Sequence, residues 1–181
     1  MFKDYRYVSL EDPTLRHKAI ESPKEFLLEY NDLVIFDEVP RWLNKTSKLY
    51  FYDTGLLCYL LEIMNGKELG ANRLRGAIFE NYIIADAFKS FFHKGHTPNF
   101  YYYRDNQKQE VDLVYERGNH AWLYEIKSAD RFKADMVKTL DKVASLWDRP
   151  TSSTIIYQGD GVRFVGKSFL QGWREIEWKR D

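Results

Sequence analysis

The sequence predicts an α/β domain with helices on either side of a mixed central sheet. A long segment, Leu74–Phe92, carries apolar residues at helical spacing. Three strand-like runs follow it, and a second helical segment then precedes a fourth run. The order helix, three strands, helix, strand is typical of α/β or α+β domains with a mixed sheet.

The length and composition indicate one domain, or one domain with a small appendage. The chain has 181 residues, of which 44% are hydrophobic and 17% aromatic, enough to bury a core. The longest apolar run is too short to span a membrane, and the chain opens without the pattern of a secretory signal. The single cysteine, Cys58, permits no internal disulfide and fits a cytoplasmic protein.

The first 44 residues differ in charge from the rest of the chain. The whole chain has 27 basic and 27 acidic side chains, but residues 1–44 are net acidic. Ser22 and Pro23 are typical of a helix start, which predicts a helix over Pro23–Tyr30. Leu33–Phe36 then indicates a short buried strand ending at Asp37 and Glu38. The polar run at residues 44–47 is the expected domain boundary.

The elements after this boundary follow from residue patterns in chain order. Before the long helix we expect a strand at Leu49–Tyr52, a helix from Thr54 to about Met64 capped by Asp53, and a loop bracketed by Gly66 and Gly70. After it we expect three strands (about Phe100–Arg104, Glu110–Glu116 and Ala121–Lys127), a helix (about Ala134–Trp147) and a strand (Thr154–Gln158) that turns into Val162–Val165.

The second and third strands are predicted to form a hairpin that brings two acids together. Gly118-Asn119 is typical of a two-residue turn. That turn makes Arg117 face His120 and therefore places Asp112 opposite Glu125. In the same register Glu110 faces Lys127, and the other face pairs Val111 with Ile126, Leu113 with Tyr124 and Tyr115 with Trp122.

Two carboxylates placed directly opposite each other destabilise a sheet unless something neutralises them. A bound Mg²⁺ ion is one solution, because it prefers carboxylate oxygens and keeps several waters. Lys127, on the same face, would then polarise a water or stabilise phosphate charge. The alternative is a solvated face on which Asp112, Glu125, Glu110 and Lys127 form weak ion pairs.

A third acid lies on the long helix. Glu80 shares a helical stripe with Ala77, Ile84 and Ala87, the face expected to dock on the sheet. A carboxylate there would need a partner or a metal. The alternative is a rim position at which Glu80 pairs with Arg73 or Lys89.

The order of these acids resembles the PD-(D/E)XK nuclease-like superfamily, which includes restriction endonucleases and Holliday-junction resolvases. The matching residues are Glu80, Asp112 within 110–113, and Glu125-Ile126-Lys127. The resemblance implies that Asp112 and Glu125 bind Mg²⁺ or Mn²⁺ with the Ile126 carbonyl. It also implies that Lys127 orients the attacking water and that Glu80 completes the site.

A wider resemblance covers nearly the whole chain. Residues 7–13 and 33–39 are similar to parts of the ATPase half of prokaryotic AAA-type ATPases that end in an uncharacterised nuclease-like domain, and 33–39 resembles a Walker B strand. Residues 48–57, 75–81 and 103–105 resemble the start of that C-terminal domain. This chain has no N-terminal phosphate loop. Only residues 42–47 separate its ATPase-like part from the C-terminal domain, where the family has the rest of the ATPase core and its lid. The resemblance therefore implies an internally deleted member, with residues 1–44 as an ATPase remnant and 45–181 as the nuclease-like domain.

One segment matches the spelling of a phosphate loop. Gly161 to Ser168 reads G-x-x-x-x-G-K-S. Val162, Phe164 and Val165 nevertheless indicate a strand, and too little chain follows to build the helix that a phosphate loop requires. ATP is therefore not expected as a ligand.

These patterns predict Mg²⁺-dependent hydrolysis of DNA, or DNA binding, by the second domain. A phosphate-contacting patch is expected at Arg104, Lys108, Lys127, Arg131, Lys133, Lys138 and Lys142, although a merely solvated surface is the alternative. A catalytically silent protein- or DNA-binding module is the first rival function, and residual ATP binding is the second. Resolvase-like folds often pair, so a homodimer is compatible with the resemblance, and no membrane partner is expected.

Overall fold

The structure, a computed structural model, describes Thr14, His17, Glu21, Ser22, Lys48, residues 50–105, residue 107 and residues 109–178. The predicted helix Pro23–Tyr30, the strand Leu33–Phe36 and the boundary at 44–47 lie outside the described residues. The same is true of Lys108. The division at residue 44 therefore stays a prediction.

From residue 50 to residue 178, the described residues form four α-helices, two short 3₁₀ helices and six strands. The α-helices are α1 (Thr54–Leu60), α2 (Gly66–Ala71), α3 (Arg75–Phe92) and α4 (Lys138–Leu146). The strands are β1 (Phe100–Arg104), β2 (Glu110–Arg117), β3 (His120–Lys127), β4 (Thr151–Tyr157), β5 (Val162–Val165) and β6 (Ser168–Gly172). The 3₁₀ helices are Ala134–Val137 and Trp173–Glu175.

The six strands form one mixed sheet in the order β1-β2-β3-β4-β6-β5. The first three strands are antiparallel neighbours. The α4 crossover then makes β4 parallel to β3, and β6 is parallel to β4. The terminal hairpin makes β5 antiparallel to β6. The predicted mixed α/β architecture is therefore confirmed.

Each face of the sheet is covered by one helix. Six apolar residues of α3 pack against sheet residues that include Leu113, Tyr124 and Ile156, and we call this group the α3-side core. Leu140 and Val143 of α4 pack against Val111, Val114, Leu123 and Ile155 on the opposite face, which we call the α4-side core. Ile83, Ala87, Leu123, Leu140 and Ile155 are fully buried.

Four local predictions were wrong. Tyr50–Tyr52 is not strand, because its backbone is bound to α3 instead of a neighbouring strand. The first helix ends at Leu60, and the expected loop at Gly66–Gly70 is the short helix α2, capped by Asn65. The strand β6 was missed, and it lies between β4 and β5 although it follows both in sequence.

Across the described residues, no helix combines the length and apolar character needed to cross a membrane.

Candidate active site

The hairpin that was expected to carry the chemistry is present in the predicted register. Leu113 pairs with Tyr124, Tyr115 with Trp122 and Arg117 with His120. Gly118 has a φ of +59°, a left-handed conformation that glycine adopts without steric cost. The turn therefore sets the register, and Asp112 and Glu125 occupy the positions immediately beyond the last of these pairs.

The strand alternation of β2 breaks at Asp112. Leu113 and Tyr115 lie in the α3-side core, whereas both Val111 and Val114 lie in the α4-side core. Regular alternation would have placed Val111 with Leu113. The β1–β2 register also shifts between Tyr101 and Tyr103, as at a β-bulge. The predicted apolar layer therefore holds for Leu113 and Tyr115 but is wrong for Val111.

The irregularity leaves the Asp112 carboxylate buried and bound on both oxygens. Asp112 is 8% exposed. Its Oδ2 accepts the backbone N–H of Ile126 at 2.8 Å, and Oδ1 lies 3.4 Å from the Lys48 ammonium. Burial raises the pKa of Asp112, and the nearby Glu80 charge raises it further, while Lys48 opposes the shift. The alternative of a solvated face therefore does not hold at this position.

Glu125 is equally buried but has one oxygen without a partner. Glu125 is 6% exposed, and the Lys127 ammonium donates to its Oε1. Among the described residues, no group hydrogen-bonds to its buried Oε2. Burial, followed by the charge of Asp112, raises the pKa of Glu125 to about 7. An unpartnered buried carboxylate oxygen costs free energy that a proton or a cation would recover.

Lys127 stays cationic beside these acids. Burial by itself would lower the pKa of the Lys127 ammonium, but the charges of Glu125 and Asp112 raise it above its ordinary value. Lys127 is also coupled electrostatically to Glu80. Lys127 therefore interacts electrostatically with all three predicted acids.

Glu80 is bound by two residues that the sequence analysis did not single out. Its Oε1 lies 3.0 Å from the Lys48 ammonium and accepts the Tyr50 hydroxyl at 2.5 Å. Burial, and then the Glu80 charge, raises the pKa of Tyr50. The rim arrangement, in which Glu80 would pair with Arg73 or Lys89, is not what these ion pairs show.

Lys48 connects the helix acid to the hairpin acids. Besides Glu80 and Asp112, its ammonium lies 3.9 Å from Glu110, whose other oxygen pairs with Arg104 at 3.1 Å. Arg104 is also the residue opposite Glu110 on β1. The expected pairing of Glu110 with Lys127 is not among the Cα pairs of β2 and β3, and the Glu110 carboxylate pairs with Lys48 and Arg104 instead.

Asn81 explains how Lys48 and Tyr50 reach the site. Its buried amide oxygen accepts the Phe51 N–H at 2.6 Å, and its nitrogen donates to the Phe51 carbonyl and to the Thr54 hydroxyl. This amide fastens the segment before α1 to the middle of α3. A polar residue next to Glu80 on the docked helix was the signal that could have revealed this contact.

The three predicted acids do not form a ready three-carboxylate metal site. Within the described part of the chain, no group of three or more His, Cys, Asp or Glu side chains is arranged to hold a metal ion. Glu80 is instead occupied by Lys48 and Tyr50. Asp112 and Glu125 remain as a pair, and Mg²⁺ needs only one or two carboxylates when waters and phosphate supply its other ligands.

Comparison with known protein families matches residues 75–173 to a domain of unknown function, DUF4143. That segment is more than half of the chain and runs from the start of α3 to the end of the sheet. The chain belongs to the DUF4143 family. No curated protein matches the sequence.

A comparison of folds gives a more distant similarity. It matches a chain in a structure described as a half-complex from a tetradecameric assembly of Thermococcus gammatolerans McrB AAA+ hexamers with bound McrC. The identity is 14% and the TM-score 0.37, over 92% of this chain and 47% of that one. This chain thus spans about half the length of the matched chain.

Four of the basic residues expected to contact phosphate differ in their exposure. Lys133, Lys138 and Lys142 are exposed, and the last two lie one turn apart on α4. Arg104 is instead half-buried and paired with Glu110. The expected phosphate-contacting patch therefore has a solvent-facing part on α4, and its role stays a prediction.

The phosphate-loop spelling of the DUF4143 domain is a β-hairpin. Val162–Val165 and Ser168–Gly172 are antiparallel strands, and Gly166 and Lys167 form the turn between them. Ser168 is fully buried and donates to Asp141 Oδ1 at 2.8 Å. The segment lacks the loop-to-helix geometry of a nucleotide site, which agrees with the rejection of that motif.

A cavity of about 540 Å³ lies on another part of the DUF4143 domain. Its lining contains none of the four predicted catalytic residues and includes Tyr124, Thr154, Phe169, Gln171, Arg174 and Ile176.

Proposed function

We propose that this DUF4143 domain is a restriction-endonuclease-like domain that hydrolyses phosphodiester bonds of DNA in the presence of Mg²⁺ or Mn²⁺. The observation that carries the proposal is the pair of buried carboxylates, Asp112 and Glu125, one of which has an oxygen without a partner in the described residues. Such oxygens are the usual ligands of hard divalent cations.

The order of elements supports the fold assignment. A helix with an acid, a three-stranded antiparallel meander, a crossover helix and a parallel strand occur in the order that the PD-(D/E)XK resemblance implies. In this assignment residues 45–181 form the nuclease-like domain, and residues 1–44 are the remnant of an AAA-type ATPase.

Each residue of the site has a chemical role in the proposal. Bound at Asp112 and Glu125, with the Ile126 carbonyl as a further ligand, a divalent cation would neutralise phosphate charge and lower the pKa of a bound water. Lys127, held by Glu125, orients the attacking water through its ammonium. Glu80 supports the site through its shared contact with Lys48.

The DNA substrate would be held mainly through its phosphates. The neutral chain as a whole provides no general attraction to DNA, so a local patch must supply it. Lys133, Lys138 and Lys142 are the exposed cations proposed for this role, together with Lys108 and Arg104. Sequence-independent binding that weakens steeply with salt is expected from such contacts.

A second candidate function is a catalytically silent module of the same fold. The ammonium of Lys48, within 3.4 Å of both Glu80 and Asp112, already supplies a positive charge to two of the acids. In that case the acids and lysines form a structural ion-pair network, and the domain binds DNA or protein without cleaving it.

The test is a cleavage assay on supercoiled plasmid with Mg²⁺ or Mn²⁺, combined with direct titration of Mn²⁺. The proposal expects nicking by the wild type and at least about a hundredfold loss in Asp112→Asn, Glu125→Gln and Lys127→Met. Mn²⁺ binding should be lost in Asp112→Ala.

The matched control is Glu177→Gln, which removes an exposed carboxylate elsewhere and should cleave like the wild type. Binding of Mn²⁺ that is unchanged by Asp112→Ala would contradict the enzyme proposal. Tight DNA binding without metal binding or cleavage would establish the silent module instead.

A further inference from the structure

Both oxygens of the Asp112 carboxylate already have a partner in the metal-free protein. Its Oδ2 accepts the N–H of Ile126, a backbone group that cannot move away from the strand. Its Oδ1 faces the Lys48 ammonium at 3.4 Å. Glu125 differs, because only Oε1 is engaged and Oε2 has no partner among the described residues.

Lys48 is well placed to act as a cation between the acids. Its ammonium contacts Glu80 at 3.0 Å, Asp112 at 3.4 Å and Glu110 at 3.9 Å. The side chain is only 24% exposed, so these contacts are partly shielded from water. An ammonium bridging two carboxylates supplies one positive charge where a divalent cation would supply two.

A divalent cation and the Lys48 ammonium cannot both bind Asp112 Oδ1 at their preferred distances. Mg²⁺ binds carboxylate oxygen at about 2.0–2.1 Å and carries a shell of waters. An ammonium at hydrogen-bond distance from that oxygen would be repelled by the ion and would occupy space needed by its waters. Lysine has four flexible side-chain bonds, so displacement of the ammonium requires no change in the sheet.

We propose that Lys48 is a built-in competitor that occupies the cation position beside Asp112 in the metal-free protein and must leave when a divalent cation binds. This inference rests on the proposed function, and it adds that Lys48 controls whether a metal ion occupies the site. Lys48 belongs to the segment that precedes α1, which Asn81 fastens to α3 through Phe51. Access of metal to Asp112 therefore depends on the position of that segment.

The test measures Mn²⁺ affinity in metal-free wild type, Lys48→Met and Lys48→Gln by electron paramagnetic resonance. Loss of the competitor should tighten Mn²⁺ binding about tenfold in both variants. Lys48→Gln serves as the second variant because its amide can still bind Glu80 if the methionine variant folds poorly. Circular dichroism checks the fold of each protein.

Arg104→Met is the matched control for nonspecific charge. It removes a positive charge from the edge of the same cluster, at Glu110, without touching Asp112 or Glu80. Its Mn²⁺ affinity should change less than about threefold. Equal tightening in Arg104→Met and Lys48→Met would overturn the proposal, because a general field would then explain both.

A second measurement follows the amine of Lys48 directly. Acetylation of wild-type lysines, read by mass spectrometry, should label Lys48 slowly without metal and several-fold faster with saturating Mn²⁺. The exposed Lys94 should be labelled equally in both conditions. An unchanged rate at Lys48 while Mn²⁺ binds would overturn the proposal.

The outcomes separate this inference from the proposed function. Mn²⁺ binding that depends on Glu125 but is unchanged or weakened in Lys48→Met rejects the competitor and leaves the nuclease proposal standing. Binding that appears only in the Lys48 variants supports the competitor and shows that the wild-type site is closed. No binding in any variant rejects both.

Discussion

Oδ2 of Asp112 accepts the backbone N–H of Ile126 at 2.8 Å, immediately beyond the last of the Cα pairs between β2 and β3. A side-chain carboxylate thus satisfies the amide of the neighbouring strand at this point. The break in alternation at Asp112 and the β1–β2 register shift lie at the same place. The Cα pairing of the hairpin therefore ends next to its two buried acids.

Replacing Asp112 with alanine should destabilise the fold. The Ile126 N–H would lose its acceptor, at a cost of about 1–3 kcal/mol, partly offset by relief of repulsion with Glu80 and Glu125. Urea unfolding should show a lower midpoint with an unchanged slope. Asp112→Asn keeps an acceptor and should lose less. A fully stable alanine variant would mean that this hydrogen bond is not important to the fold.

Stability of the metal-free protein should fall as the pH rises from about 4.5 to about 7. The folded state raises the pKa of Glu125 from 4.5 to about 7, so it holds a proton that the unfolded chain has already released. Each pH unit in this window should cost up to about 1.4 kcal/mol, and the loss should level off above it. Thermal unfolding in EDTA measures the slope.

Glu125→Gln is the variant that tests this assignment, because a glutamine does not titrate. Its unfolding temperature should depend less on pH than that of the wild type, and its advantage should be largest near pH 8. Glu177→Gln should keep the wild-type slope. Parallel slopes in wild type and Glu125→Gln would show that other groups cause the pH dependence.

Asn81→Ala should weaken the attachment of the segment before α1. The substitution removes three hydrogen bonds, two to the Phe51 backbone and one to the Thr54 hydroxyl. A loss of about 1–3 kcal/mol is expected, since Asn81 is 3% exposed. Hydrogen exchange at residues 51–57 should accelerate more than in the β-sheet. The exposed Asn99→Ala should be neutral, and an equal effect of both would argue against the anchor.

Ser168→Ala should lower the stability of the fold, and the protein should not bind nucleotide with or without this substitution. Ser168 is buried and donates to Asp141, so its loss should cost about 1 kcal/mol. ATP with Mg²⁺ should not shift the unfolding temperature of the wild type or of Lys167→Ala, because the motif forms a hairpin. A shift that Lys167→Ala abolishes would revive the nucleotide-binding hypothesis.

Charge reversal at Lys138 and Lys142 should weaken DNA binding more than charge reversal at Lys94. Both residues are exposed on one face of α4. If each contacts a phosphate, the double variant should reduce the slope of log affinity against log salt by about two. Fluorescence anisotropy at several salt concentrations measures this slope. Equal slopes in the Lys94→Glu and double variants would show that α4 does not contact DNA.

Local sequence patterns were sufficient to predict much of the secondary structure of this domain. The long helix, the three-strand meander, the hairpin register and the crossover helix all follow from short-range periodicity and from one glycine turn. The hairpin turn also places Asp112 and Glu125 at adjacent positions, because strand register is set by the residues of the turn. The phosphate-loop spelling at Gly161–Ser168 was also rejected from a local pattern, because its side chains are typical of a strand.

Tertiary structure alone decided which cation meets which acid. Lys48 lies 32 residues before Glu80 and 64 before Asp112, and no periodic pattern connects positions so far apart. The insertion of β6 between β4 and β5 and the break at Asp112 likewise depend on packing against neighbouring strands. Backbone preference acts over a few residues, whereas the partner of a buried charge is chosen by whichever distant segment the folded core brings within 3–4 Å.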